Sequence, residues 1–126
     1  MLPTSGHHHL ADLQGCRPEL PAMTRPQALR ELCLQAVRAA GLTPVGELFH
    51  AFPPPGGVTG MVLLAESHLA VHTWPERGVV TLDVFVCNLG RDNAAAAQQL
   101  LDELVAAFKP AQQHLQHCLR RVDTQR

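Results

Sequence analysis

The chain has no run of lysine or arginine beyond the Arg120-Arg121 pair, and its ten basic against eleven acidic residues leave a formal net charge of -1. A surface built to neutralise nucleic-acid phosphates is excluded by that balance. No segment approaches the roughly 20 consecutive apolar residues of a membrane span, and Met1 to His9 lacks a charged region followed by an apolar stretch. The expected location is therefore the cytoplasm, with neither nucleic acid nor membrane as a partner. Cys16, Cys33, Cys87 and Cys118 include no Cys-x-x-Cys pair and no zinc-ribbon spacing, so they are expected to be free thiols that fill the core unless a site recruits one. His7-His8-His9 does not read as a metal site, because successive side chains on a strand point to opposite faces, and no metal is expected. Tyrosine is absent, and one tryptophan and four phenylalanines are the only aromatic residues. Two of them beside one motif therefore carry weight.

What is present suits one ordinary globular domain spanning 1–126, with 46% apolar and 17% charged residues. A short first strand is expected from His8 to Leu13, closed by Gly15 and a proline-containing loop from Arg17 to Ala22. Thr24 with Gln27 forms a capping-box pattern, and Pro26 suits the first turn of a helix. Leu29, Leu32, Cys33, Ala36, Val37 and Ala40 then recur at helical spacing, and Gly41 supplies the stop. A second strand runs from about Val45 to Phe52 into Pro53-Pro54-Pro55-Gly56-Gly57, which cannot continue a sheet ladder. Val58 to Ala65, Leu69 to Trp74 and Val79 to Val86 read as three further strands, the last apolar on both faces except for Thr81 and Asp83. Asp92 or Asn93 caps a second helix whose apolar side is Ala97, Leu100, Leu101, Leu104, Val105 and Phe108, and Pro110 ends it. A last strand covers Gln112 to Arg121. One-sided helices and many strands predict an α+β two-layer sandwich, a mainly antiparallel sheet with two helices on one face. The other face is left for a second copy of the chain, sheet against sheet in a homodimer.

The stretch from Val58 to Glu76 sets two strand-like runs around a polar corner, Glu66-Ser67-His68. Alternation puts His68, Ala70, His72 and Trp74 on one face of the second run. Polar groups in apolar strands cost about 1–3 kcal/mol each when unpaired, so a cluster of them points to a site. No Gly-x-Ser-x-Gly elbow surrounds Ser67, which disfavours a serine hydrolase.

Ala-Glu-Ser-His-Leu-Ala-Val-His-Thr-Trp-Pro-Glu, followed by Asp83-Val-Phe-Val-Cys87, resembles the proenzyme of the prokaryotic S-adenosylmethionine decarboxylases, the short homodimeric type. Gly6 to Cys16 and His50-Ala-Phe52 extend the likeness, which covers most of residues 6 to 121. The resemblance implies self-cleavage between Glu66 and Ser67 into a β chain, 1–66, and an α chain, 67–126, with Ser67 becoming a pyruvoyl group. That group would hold the substrate S-adenosylmethionine as a Schiff base during decarboxylation, for spermidine and polyamine synthesis. By the same likeness His72 is the proton acceptor in processing, Thr59 a processing aid where the family commonly has serine, and Cys87 the proton donor in decarboxylation. Phe52, Trp74 and Glu76 fall where substrate contacts are expected, with a cation–π contact to the sulfonium available to the rings. The family's site is shared across its dimer. The Pro53 to Gly57 loop departs from the family pattern by one residue and by its prolines. Three alternatives remain open on the residues: the same scaffold acting on arginine or ornithine, an unprocessed regulatory homologue, and a histidine-rich metal-binding module.

Overall fold

The computed structural model of the chain describes residues 5–88 and 91–122. Nine elements follow one another: β1 (Ser5–Gln14), α1 (Pro21–Thr24), α2 (Pro26–Ala39), β2 (Pro44–Ala51), β3 (Val58–Leu64), β4 (Ser67–Trp74), β5 (Val79–Cys87), α3 (Ala94–Phe108) and β6 (Gln112–Arg121). The strands form one sheet in the order β2-β3-β4-β5-β1-β6, with every neighbouring pair antiparallel. Three hairpin connections build β2 to β5. β1 then inserts between β5 and β6.

All of the core lies on one side of this sheet. α2 packs on β2 and β3, and α3 packs on β1 and β5. Leu29, Cys33 and Val37 of α2 and Leu100, Leu104 and Phe108 of α3 are wholly buried there against Val62, Leu69, Val71, Val80 and Val84. Because strand side chains alternate, the intervening positions form a second face with no helix over it. The expected α+β two-layer architecture is the one observed, and no helix among the described residues is long and apolar enough to cross a membrane.

Four local expectations change. The loop expected over Arg17 to Ala22 holds as far as Leu20, but Pro21 and Ala22 join one helical turn, α1, started by Pro21 and anchored by buried Met23, whose carbonyl accepts from Thr73 Oγ1 at 2.7 Å. That turn takes up Thr24, so the capping box is not formed: Arg25 is the N-cap of α2 without a side-chain bond, and Gln27 instead donates to Glu31. With α1 there are three helices among the described residues where two were expected. β1 is longer than expected because ladders on both sides, to β5 and β6, hold its ends.

Other signals hold. Gly41, at φ 80, lets the Leu42 N–H reach the Val37 carbonyl at 3.0 Å and closes α2. Asp92 accepts from the Ala94 N–H at 2.9 Å beside the N-cap Asn93. The Pro75 to Gly78 turn closes through Arg77 N–H to the Trp74 carbonyl, 3.0 Å.

Candidate active site

β3 and β4 are joined by Ala65 and Glu66 alone. So tight a corner forces Glu66 to φ 53, a left-handed conformation that costs a residue with a Cβ about 1–2 kcal/mol. Ser67 follows as the first residue of β4, opposite Leu64. It shares the pleat of buried Leu69 and Val71 and so turns towards the helix layer. Its Oγ accepts the Cys87 backbone N–H at 3.3 Å. Ser67 and Cys87 line a cavity of about 250 Å³ together with Leu42, Thr43, Arg91 and Asn93. Asn93 Nδ2 donates to the Cys87 carbonyl at 2.9 Å, and Arg91 Nε donates to Asn93 Oδ1 at 2.7 Å, so Arg91 and Asn93 together hold the Cys87 backbone. Burial first, and then the charge of Glu66, push the Cys87 thiol above its ordinary value. The thiol therefore keeps its proton at neutral pH.

The far end of β4 carries a second group. Thr59 Oγ1 and His72 Nδ1 are hydrogen-bonded at 3.0 Å across the β3–β4 ladder. They line a cavity of about 410 Å³ with Phe52, Trp74, Glu76 and the loop prolines. The loop is held there because Phe52 N–H donates to the Gly57 carbonyl at 2.9 Å. A Cβ on Gly57 would collide with the Thr73 carbonyl oxygen, so only glycine allows the loop to lie against β4.

One chain does not bring the two groups together. His72 is five positions along β4 from Ser67, roughly 16 Å at the rise of a strand, and on the opposite pleat. The corner hydroxyl and the imidazoles that adjoin it in sequence therefore do not form a single cluster. His68 also faces away from the Ser67 hydroxyl: its Nε2 donates to Asp83 Oδ2 at 2.9 Å, and His8 Nε2 donates to the same oxygen at 2.9 Å. These three side chains are spaced closely enough to hold an ion. Arg120 favours the hydrogen-bonded form, since its guanidinium, which can only donate, faces His8 Nδ1 at 3.3 Å. That leaves the proton on Nε2, the tautomer opposite to the one a metal on Nε2 requires. Of the histidine triplet only His8 takes part, as strand alternation predicts.

The family model described as S-adenosylmethionine decarboxylase matches residues 7–121. The chain belongs to that family. It is 37% identical over 105 residues to an S-adenosylmethionine decarboxylase proenzyme from Pyrococcus furiosus, across 83% of this chain and 73% of the relative. An S-adenosylmethionine decarboxylase proenzyme from Aquifex aeolicus is 39% identical over 110 residues, 87% of this chain and 76% of its own. The crystal structure of the adenosylmethionine decarboxylase from Aquifex aeolicus matches with a TM-score of 0.86 at 34% identity, over 99% of this chain and 98% of that one.

Within this S-adenosylmethionine decarboxylase fold, three polar residues around the two groups escape a reading of the motif alone. Asp83 left a signal, as a carboxylate in an otherwise apolar strand. Arg91 and Asn93 left none beyond a helix cap, because their contacts with Gly41, Asn88 and Cys87 arise only in the folded chain.

Proposed function

We propose that the chain cuts itself between Glu66 and Ser67, and that the pyruvoyl group formed from Ser67 serves to decarboxylate S-adenosylmethionine. The product is the aminopropyl donor for polyamine synthesis, and the enzyme works as a homodimer in the cytoplasm. One observation carries the reading: Ser67 follows a backbone-strained Glu66 at a two-residue corner, with its hydroxyl oxygen 3.3 Å from the Cys87 backbone nitrogen beside a cavity of about 250 Å³. The corner fits the group, because residue 67 is a serine with a glutamyl carbonyl directly before it.

In the cut, Ser67 Oγ attacks the Glu66 carbonyl carbon and the bond to the Ser67 nitrogen breaks, leaving an ester. A base takes the α-proton of residue 67, and the Cβ–O bond breaks to release the Glu66 carboxylate. Water then replaces the nitrogen of residue 67 as ammonia. In this mechanism His72 Nδ1–H donates to Thr59 Oγ1, 3.0 Å away, which leaves Nε2 as the basic atom for the proton step. Once formed, the pyruvoyl group supplies an electrophilic carbonyl that takes up the electron pair left by departing carbon dioxide. Cys87 is the proton donor, its thiol kept protonated by burial. Phe52, Trp74 and Glu76 take the adenosyl and sulfonium parts in the larger cavity.

The separation along β4 supports a site completed by a second copy. The uncovered face exposes Leu48 (75%), Phe52 (51%) and Leu63 (48%), apolar area that a facing sheet about 10 Å away would bury. Ala70 is midway between His68 and His72 on that face. A two-fold axis near Ala70 would set the His72 of one copy at the Ser67 end of the other. The topology also keeps the fragments of each copy together, since β1 of the first fragment is laced between β5 and β6 of the second.

Denaturing mass measurement of the purified protein is expected to give fragments 1–66 and 67–126. Carboxyl-labelled S-adenosylmethionine is expected to release labelled carbon dioxide, whereas arginine and ornithine are not. A persistently intact chain, or release from arginine or ornithine alone, would overturn this reading.

A further inference from the structure

Asp83 lies in β5 between buried Leu82 and Val84 and pleats to the uncovered face. Its position there is costly, since burial disfavours the charged carboxylate. Two imidazole N–H groups on one oxygen compensate, one from His68 and one from His8. Burial alone would raise the carboxyl, but the hydrogen bonds from His68 and His8 outweigh it and hold Asp83 below the usual carboxylate range. The His8 ring meets the His68 ring edge-on, 5.8 Å between centroids, and meets Phe85 in the same manner at 5.6 Å. The three side chains therefore fix one another's orientation.

The sequence positions of the three give the arrangement a use. After the cut, the backbone nitrogen of His68 is the atom to which residue 67 remains attached. The β3–β4 corner no longer restrains that end covalently. Of the three residues, His8 then belongs to the first fragment, while His68 and Asp83 belong to the second. We propose that Asp83 is a positioning residue for the residue-67 centre: its Oδ2 clamps the His68 ring, and His8 braces the clamp across the break between the fragments. The inference rests on the self-cleavage reading. It adds that the newly made chain end is aimed by a side-chain clamp on the sheet face opposite the Ser67 hydroxyl. A displacement of about 1 Å at a reacting centre can cost on the order of 10²-fold in rate.

The test uses the full-length protein with Asp83→Asn, His8→Gln and their combination, each assayed well below its own Tm. Asp83→Asn is expected to cut itself as the wild type does, yet to lose roughly 30- to 100-fold in kcat with KM changed less than about threefold. His8→Gln should lose roughly three- to tenfold. The double variant should lose little more than Asp83→Asn alone, because without the Asp83 carboxylate His8 keeps only its ring contact with His68 and no hydrogen bond through which to brace it. If Asp83→Asn does not fold, His68→Ala carries the same test, with the same loss and the same indifference to His8→Gln. An intact wild-type chain overturns both this proposal and the self-cleavage reading. A cut wild type beside an Asp83→Asn of unchanged kcat, or losses that add in the double variant, overturns the clamp alone and leaves the reading standing.

Discussion

At the start of β4 the cavity is about 250 Å³ and lined by the α2–β2 loop, Arg91 and Asn93, whereas at its far end the cavity is about 410 Å³ and lined by Phe52, Trp74 and the proline loop. The small end holds a hydroxyl, a cysteine whose thiol keeps its proton and a strained peptide, a set suited to bond making. The large end holds an imidazole oriented by a hydroxyl, two aromatic rings and a carboxylate, suited to binding a nucleoside cation. On the proposed mechanism each needs the other, and a single chain keeps them roughly 16 Å apart. The sharpest way to break this picture is by mixing. Ser67→Ala and His72→Ala should each stay uncut when expressed alone. Co-expressed, they should form mixed dimers in which the His72→Ala chain receives an imidazole from its partner and is cut, while the Ser67→Ala chain stays intact. Mass measurement reads this directly, and a mixture with no cut chain would mean that the two ends do not meet across a dimer.

The next largest effect separates making the centre from using it. Cys87→Ala should still yield both fragments, because the thiol is absent from the cleavage steps, but its kcat should fall by roughly 10²- to 10³-fold. The raised thiol pKa sets the sign of the pH dependence. A donor must be protonated, so the wild-type kcat should hold steady past the ordinary thiol value of about 8.5 and decline only at higher pH. A basic limb below that value would make Cys87 the wrong donor.

Much of this was legible in the residues alone, for reasons that differ between the two ends. Strand alternation placed His72 and Trp74 on one face, and Gly57 and the prolines marked the loop that forms the large cavity. Ser67 and Cys87 could be paired only through family likeness, since 20 residues separate them and the β4–β5 register that joins them is a tertiary fact. Sequence proximity misled at one place. His68 and His72 stand near Ser67 in the chain, but pleating turns both away from its hydroxyl. The capping pattern at Thr24 failed because Pro21 starts a separate turn that consumes the threonine, a competition between two local signals that spacing does not rank. β6 was foreseen with the right ends although all ten of its residues are exposed, because its ladder with β1 needs only backbone groups.

The smallest expected effect concerns the corner itself. Among the described residues, two that are not glycine adopt positive φ, Glu66 at 53 and Lys109 at 46. Lys109 ends α3 far along the chain from either cavity and serves as an internal control. In a Ser67→Ala background, which removes cleavage, Glu66→Gly and Lys109→Gly should each stabilise the fold by roughly 0.5–1 kcal/mol, the relief of about 1–2 kcal/mol less the entropy that glycine gives the unfolded chain. With Ser67 present the two should diverge. Strain at Glu66 is released when the Glu66–Ser67 bond opens, so Glu66→Gly should slow the cut by a few-fold, about 1 kcal/mol of barrier. Lys109→Gly should leave the cleavage rate unchanged. Glu66→Ala separates conformation from charge, because it keeps a Cβ at φ 53 and removes the carboxylate. If Glu66→Ala slowed the cut as much as Glu66→Gly, the carboxylate and not the backbone would be what readies the small end for cleavage.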